Sequence, residues 1–202
     1  MKKDRKKEDF ADIAVTDVCK SYGDKKVLVD FSRIFECGKT YCICGESGAG
    51  KTTLLRLIMR LEKADSGQIT GLSQKKIAAV FQEDRLLDYA DAVSNIRLVN
   101  TDNDRSAVIS AMNAVGLTDC ENQPVTELSG GMRRRVAILR AVLSDFDLLL
   151  LDEPFKGLDE HSKELTVNLI KEKTIGKTVI IVSHDISEAA MMSAEIVNLK
   201  EK

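Results

Sequence analysis

Hydrophobic positions along this chain follow two rhythms. Short continuous apolar runs at Tyr41-Cys42-Ile43-Cys44, Ile77-Ala78-Ala79-Val80-Phe81, Leu148-Leu149-Leu150-Leu151 and Val179-Ile180-Ile181-Val182 read as strands covered on both faces, and Glu195 to Leu199 as a final short strand. Between them apolar residues recur three and four apart. Leu54, Leu55, Leu57, Ile58 and Leu61 form one such stripe, Val93 and Ile96 a second, and Val108, Ala111, Met112 and Val115, ended by Gly116, a third. Met132, Val136, Leu139 and Leu143 form another, and Leu165, Leu169 and Ile170 the last. Strands and helices in this order predict an α/β fold.

Two departures from that rhythm divide the chain. Near the start, Ile13 to Cys19 and Val27 to Phe35 mix β-formers with polar residues around the turn Ser21-Tyr22-Gly23-Asp24, which suits a partly exposed antiparallel β subdomain. After the first helix Asp65-Ser66-Gly67 breaks the pattern, and residues 85–127 carry only helical stripes, split by the polar run Asn100 to Asp104. The expectation is one domain over residues 10–202, with a core at 10–84 and 141–202 and an inserted helical subdomain at 85–140. Residues 1–9, with Lys2, Lys3, Arg5, Lys6 and Lys7 ahead of Glu8 and Asp9, are expected to be a mobile charged arm.

Composition narrows the function. Thirty Lys and Arg against 32 Asp and Glu leave a net charge of −2, which gives no molecule-wide electrostatic footprint for nucleic acid, and none is expected as a partner. No apolar run approaches the roughly 18 residues of a membrane span, and no signal-peptide core follows the basic start. A cytoplasmic chain is expected, held at a membrane only through a partner. The five cysteines, at 19, 37, 42, 44 and 120, include no C-x-x-C pair, so they are expected to be reduced thiols. Cys42 and Cys44, two apart on a strand, face one side as small buried hydrophobes.

The chemistry concentrates at the ends of the apolar runs. Gly45-Glu46-Ser47-Gly48-Ala49-Gly50-Lys51-Thr52 lies between a strand and a helix, the context in which G-x-x-x-x-G-K-[ST] is a P-loop. Without side chains at Gly45, Gly48 and Gly50, backbone N–H groups can converge on phosphate oxygens at the positive end of the helix dipole. Lys51 would then meet the β- and γ-phosphates, and the Thr52 hydroxyl would serve Mg²⁺. A second glycine turn, Leu128-Ser129-Gly130-Gly131, opens another helix as a second anion site. The four-leucine strand ends in the carboxylate pair Asp152-Glu153, and the following strand in Ser183-His184-Asp185. In open α/β sheets, ligands bind at strand ends of this kind.

Taken together, the P-loop, Leu128-Ser129-Gly130-Gly131 and the strand ending in Asp152-Glu153 closely resemble the ATPase domain of ATP-binding-cassette (ABC) proteins, from about Ile13 to Leu199. The resemblance implies a P-loop NTPase core of RecA-like type with the antiparallel and helical subdomains above, and ATP and Mg²⁺ as cofactors. It also implies roles. Tyr22 stacks on adenine; the run Gly45 to Thr52, with Thr53, holds the phosphates; Thr52, Gln82 and Asp152 serve the metal. Glu153 orients and polarises the attacking water, with His184 and Gln82 beside it. Ser129, Gly130, Gly131 and Asp159 complete the nucleotide site of a second copy, or of a homologous ATPase subunit, in a head-to-tail dimer. Arg133, Arg134 and Arg135 read as a mostly solvated face from which one could approach phosphate, and His161 as a surface residue. Met132, where the family often has glutamine, and Gly157, where serine or alanine is common, are departures at that interface.

A separate ATPase chain of this kind resembles the engine of a multisubunit transporter, which implies a transmembrane permease as partner and, in the assembled transporter, a solute-binding protein as a further candidate. The run Val80 to Leu87 is similar to that of importers for nitrate, sulfonate and taurine, although Asp88-Tyr89 replaces their proline and aromatic. An exporter ATPase subunit and a soluble, non-transport ABC ATPase remain as alternatives.

Overall fold

In the computed structural model, which describes residues 11–99 and 104–199, the two mixed stretches near the start form the hairpin β1 (Ile13–Tyr22) and β2 (Lys25–Phe35). The 1–9 segment expected to be an arm lies outside the described residues, as does most of the polar run from Asn100. Tyr22 pairs with Lys25 and Ser21 with Lys26, leaving only Gly23 and Asp24 in the turn. Ser21 and Tyr22, expected in that turn, therefore belong to the strand, held there by the ladder and by the Ser21 N–H donating to the Asp65 carboxylate at 2.7 Å.

β3 (Thr40–Cys44) runs into the glycine loop and then α1 (Lys51–Ile58). The helix is shorter than its apolar stripe. Arg60 adopts a left-handed conformation (φ 58°), its N–H bonds Leu57 O and that of Leu61 bonds Arg56 O, the paired closure of a Schellman motif. Leu61, expected on the buried stripe, is consequently turned out and 59% exposed.

The stretch at Asp65-Ser66-Gly67, expected only as a break, starts a strand, β4 (Ser66–Thr70), which pairs antiparallel with β1. Its glycine is there for space: a Cβ at Gly67 would lie 2.3 Å from the Asp17 carbonyl oxygen, where β1 bulges and Asp17 itself takes φ 49°. The three strands order as β2-β1-β4.

β5 (Ile77–Val80) is followed by α2 (Ala92–Arg97), α3 (Arg105–Ala114), a 3-10 turn at Val125–Glu127 and α4 (Gly130–Val142). Then come β6 (Leu148–Asp152), α5 (Glu160–Lys173), β7 (Thr178–Val182), α6 (Ile186–Met191) and β8 (Glu195–Asn198). The six-residue α6 is a helix the apolar spacing did not announce. Its start is set by Asp185, whose carboxylate accepts from the Ser187 N–H at 2.8 Å.

The five remaining strands form one parallel sheet, ordered β5-β6-β7-β3-β8. Period-2 alternation splits its residues between two cores. Cys42, Leu149, Leu151, Val179 and Ile181 face one cluster with residues of α2 through α6, so the helical segment shares a core with the sheet. Tyr41, Ile43, Leu148, Leu150, Ile180 and Val182 face the other, with α1 and the antiparallel hairpin. Leu148 to Leu151 are each 0% exposed, and burying such side chains stabilises by roughly 1.5–3 kcal/mol apiece. Packing on both faces thus fixes where β6 ends, and with it the carboxylates that follow.

Cys42 and Cys44 share a face, both buried, with sulfurs 3.7 Å apart, and burial pushes the Cys42 thiol up to about 12. They are unreactive core residues. Among the described residues no helix is long and apolar enough to cross a membrane.

Candidate active site

The loop after β3 emerges at the C-terminal end of the parallel sheet, beside the ends of β6 and β7. Gly50, the N-cap of α1, has φ 95°, and a Cβ there would lie 2.8 Å from Val27 Cγ1 and 3.0 Å from the Val27 carbonyl oxygen. Conformation and space both require glycine, because β2 packs directly against the loop. Lys51 follows, 5% exposed, with its ammonium donating to the carbonyls of Gly45 and Glu46 at 2.7 Å each and lying 3.4 Å from His184 Nδ1. Burial lowers its pKa, opposed by the nearby Glu153 and Asp152 carboxylates. The loop's own carbonyls hold the cation at the mouth of the helix, where phosphate oxygens would replace them.

The carboxylate pair is split by the end of β6. Asp152, still in the strand and 5% exposed, accepts a hydrogen bond from the Thr52 hydroxyl at 3.0 Å. Burial raises its pKa, and the Thr52 hydrogen bond opposes that rise. Glu153 leaves the strand with φ 48°, its N–H donating to Val182 O at 2.9 Å. A left-handed conformation at a non-glycine residue costs of order 1–3 kcal/mol. Among the described residues six other non-glycine positions share it, so the backbone alone does not mark a site; what distinguishes Glu153 is what its side chain meets. One carboxylate oxygen lies 2.8 Å from His184 Nε2 and the other 3.3 Å from Lys156 Nζ.

These groups enclose a cleft of about 290 Å³ lined by Tyr22, Ser47, Gly48, Gly50, Lys51, Thr52, Thr53, Gln82, Glu153 and His184. All ten were expected at the site from sequence. Lys25 and Val27 also line it and were not expected. Lys25 opens β2 directly after the turn, and its charge reads as a solvated strand end unless the packing of β2 on the loop is known. Tyr22 is 45% exposed, and its hydroxyl donates to the Glu62 carboxylate, which fixes the ring at the rim. A larger groove of about 720 Å³ lies behind the loop along β2, but Asp152, Glu153, Lys51 and His184 are not among its lining residues.

Of the expected residues that do not line this cleft, Gly45, Glu46 and Ala49 belong to the loop around it and Asp152 lies behind Thr52, while four are on other elements. Ser129 caps α4, its hydroxyl accepting from the Met132 N–H at 3.2 Å, and Gly130 has open space where a Cβ would be. Gly131 packs on the next expected interface segment, a Cβ there being 3.2 Å from Gly157 O. Asp159 caps α5, accepting from the Ser162 N–H and hydroxyl at 2.9 and 2.8 Å, which lowers its pKa. None of the four lines the cleft of its own chain.

The arginines of α4 are the clearest correction. Rather than forming a solvated face, Arg133 donates to Leu128 O, Arg135 to Gly131 O, Val115 O and Gly116 O, and Arg134 is buried at 4% exposure. Their spacing carries no signal for this, since backbone carbonyls are invisible in sequence. His161, as expected, is exposed.

The donor set suits Mg²⁺. No group of three or more His, Cys, Asp or Glu among the described residues is placed to hold a metal unaided. A hydroxyl and a carboxylate in contact, Thr52 and Asp152, are what a hard ion needs when it keeps several waters and takes its other ligands from phosphate.

Residues 28–156 match the family model described as ABC transporter. The aliphatic sulfonates import ATP-binding protein SsuB of Pectobacterium atrosepticum is 37% identical over 197 residues, covering 94% of this chain and 74% of that one. The taurine import ATP-binding protein TauB of Yersinia pestis is 36% identical over 193 residues, covering 88% and 75%. Among solved structures, the dimeric structure of MJ0796, a bacterial ABC transporter cassette, superposes with a TM-score of 0.82 at 29% identity, covering 93% of this chain and 94% of that one.

Proposed function

The chain belongs to the ABC transporter family and is an ATP-binding ATPase, and from that premise we propose that it powers the import of a small solute, with sulfonates the class suggested by its relatives' names. The observation that carries the site assignment is the meeting in one cleft of Lys51, Thr52 and the Glu153–His184 pair, with the Asp152 carboxylate hydrogen-bonded to Thr52 directly behind it.

Each residue has a task that its surroundings suit. The loop from Gly45 to Thr53 cradles the phosphates, Lys51 exchanging two carbonyls for phosphate oxygens. Tyr22 offers a ring face to the adenine. Thr52, Asp152 and Gln82 would hold Mg²⁺, which neutralises charge developing on the phosphoryl oxygens. Glu153 accepts a hydrogen bond from the attacking water and takes its proton, while His184, its Nε2 2.8 Å from the Glu153 carboxylate, steadies the γ-phosphate. Phosphoryl transfer demands this kind of positioning more than covalent chemistry.

Ser129, Gly130, Gly131 and Asp159 serve the cleft of a second copy, or of a homologous ATPase subunit, in a head-to-tail pair. The open space at Gly130 and the dimeric assembly of the MJ0796 cassette support this. The working division is a core of 10–84 and 141–202 with a helical subdomain at 85–140. Leu87, Tyr89, Leu98 and Val99 of that subdomain are exposed, and they are apolar side chains it can offer to a transmembrane permease on the cytoplasmic side of the membrane. A solute-binding protein completes the importer. Closure around two nucleotides shifts the permease between its conformations.

Glu153→Gln tests the core of this reading. ATP binding should persist and the ATP-bound dimer accumulate, while turnover falls at least about 100-fold. Parental turnover would remove Glu153 from its role.

A further inference from the structure

Helix α4 begins at the Ser129 turn and carries, at its second turn, a side chain that reaches the ends of two strands at once. Arg134 Nε donates to Pro154 O at 3.0 Å. One terminal nitrogen donates to Asp152 O at 2.6 Å and Glu153 O at 2.7 Å. The other donates to Phe81 O and to the Asp84 carboxylate at 3.1 Å, which balances its charge. Two segments therefore converge on one guanidinium: 81–84, which carries Gln82, and 152–154, which carries Glu153. The guanidinium is planar and presents its donors in a fixed fork, so it sets angles as well as distances.

The consequence falls on Glu153. Its N–H is bound to Val182 and its carbonyl to Arg134, so the peptide units on both sides of its left-handed Cα are held. We propose that Arg134 is a positioning residue for ATP hydrolysis, which fixes the backbone of Glu153 relative to Gln82 without touching nucleotide. This rests on the reading of Glu153 as the residue that orients the attacking water. Misplacement of a catalytic group by as little as an ångström costs about 100-fold in rate, so loss of the fork appears in kcat rather than in affinity.

Arg140, on the same helix, provides the contrast. It donates to Asp84 O at 3.0 Å and Arg85 O at 2.9 Å, gripping the Gln82 side of the junction without reaching 152–154. If Arg134 acted only by docking α4, the two arginines would behave alike.

The test compares Arg134→Ala, Arg134→Lys, Arg140→Ala and Glu153→Gln in the full chain, assembled with its permease where turnover needs it, by ATPase kinetics, equilibrium ATP binding and thermal unfolding. Arg134→Ala should lose about 30- to 100-fold in kcat with ATP affinity within about threefold of the parent. Arg134→Lys, which keeps the charge but not the fork, should recover part of that loss, and Arg140→Ala should stay within about threefold of parental kcat. Should Arg134→Ala fail to fold, Arg134→Lys decides alone: a roughly tenfold lower kcat at parental affinity supports the proposal. Parental kcat in the Arg134 variants, loss of affinity in step with kcat, or an equal loss in Arg140→Ala overturns it. Parental turnover in Glu153→Gln overturns it through its premise, and that failure is recognisable because the Arg134 variants need not share it.

Discussion

Two glycine-rich turns open helices in this molecule, and they are built on opposite plans. The first is enclosed. Gly50 is hemmed in by Val27 and Leu28, Lys51 is drawn back onto its own loop, and two strand ends place Glu153 and His184 over it. The second is open. Ser129 caps its own helix, a Cβ at Gly130 would meet nothing within 4 Å beyond its own turn, and no residue of this turn lines the cleft that holds Glu153 and His184. The packing of the chain itself demands glycine at the first turn, whereas at Gly130 it does not. A glycine with no internal reason is best explained by something outside the chain, here a nucleotide held by a second copy.

The largest effect is expected from complementation. Lys51→Ala should abolish nucleotide binding and turnover, and Ser129→Arg should abolish turnover while leaving binding to the single chain intact. Mixing the two inactive variants should restore activity, because one of the two shared sites then combines an intact Lys51 with an intact Ser129. No recovery on mixing, with mixed dimers shown to form, would mean that each chain completes its own site.

Stability separates the turns next. Gly50→Ala forces a Cβ into Val27 at a left-handed φ and should cost about 1–3 kcal/mol, seen as a Tm lowered by several degrees. Gly130→Ala should leave Tm unchanged or raise it slightly, since alanine fits there and narrows the unfolded ensemble. Turnover should nonetheless fall in both. A Gly130→Ala variant with full turnover would remove the reason given for that glycine. A smaller effect is expected of Ser129→Ala, which removes the α4 cap at a cost of about 1 kcal/mol, or about 2–4 °C in Tm, read by thermal unfolding.

The enclosed turn was legible in the sequence, and so was most of the sheet. Each apolar run became a strand because burial on both faces leaves a signature in composition, as at Leu148 to Leu151. Motif spacing then placed ten of the cleft's twelve lining residues. What stayed hidden depended on backbone geometry or on distant partners. β4 was masked by Gly67, whose role is to admit the Asp17 bulge fifty residues earlier in the chain. Leu61 looked like a stripe residue because nothing in its side chain reveals that Arg60 turns left-handed. Arg134 looked solvated because its partners are mostly carbonyls, which every residue has. Lys25 joins the cleft only through the way β2 lies on the loop. Tertiary contacts decided each of these, and local propensity is silent about them.

The supports beneath the two turns also differ in charge, and pH should expose that. The open turn's helix is anchored by Arg134, a permanent cation. The enclosed turn is backed by Ser183, whose N–H bonds Ile43 at the end of β3 and whose hydroxyl donates to the buried Glu188 carboxylate at 2.6 Å. Burial raises the pKa of Glu188 from its ordinary 4.5, with the Ser183 hydrogen bond and Lys163 opposing and Asp185 and Glu153 reinforcing the rise. A raised value means that the folded chain holds this proton more tightly than the unfolded chain does. The stability so gained is complete below the ordinary carboxylate range and is lost as pH rises through the raised value. Glu188→Gln cannot titrate, so the parent's advantage over it should shrink as pH climbs from about 4 toward 8 and then level off, followed by denaturant unfolding of both proteins across that range. This is the smallest effect of the series, a tilt rather than a step. A difference that stays constant with pH would show that Glu188 binds its proton equally well in the folded and unfolded chains, and that its grip on Ser183 leaves the enclosed turn as indifferent to protons as Arg134 leaves the open one.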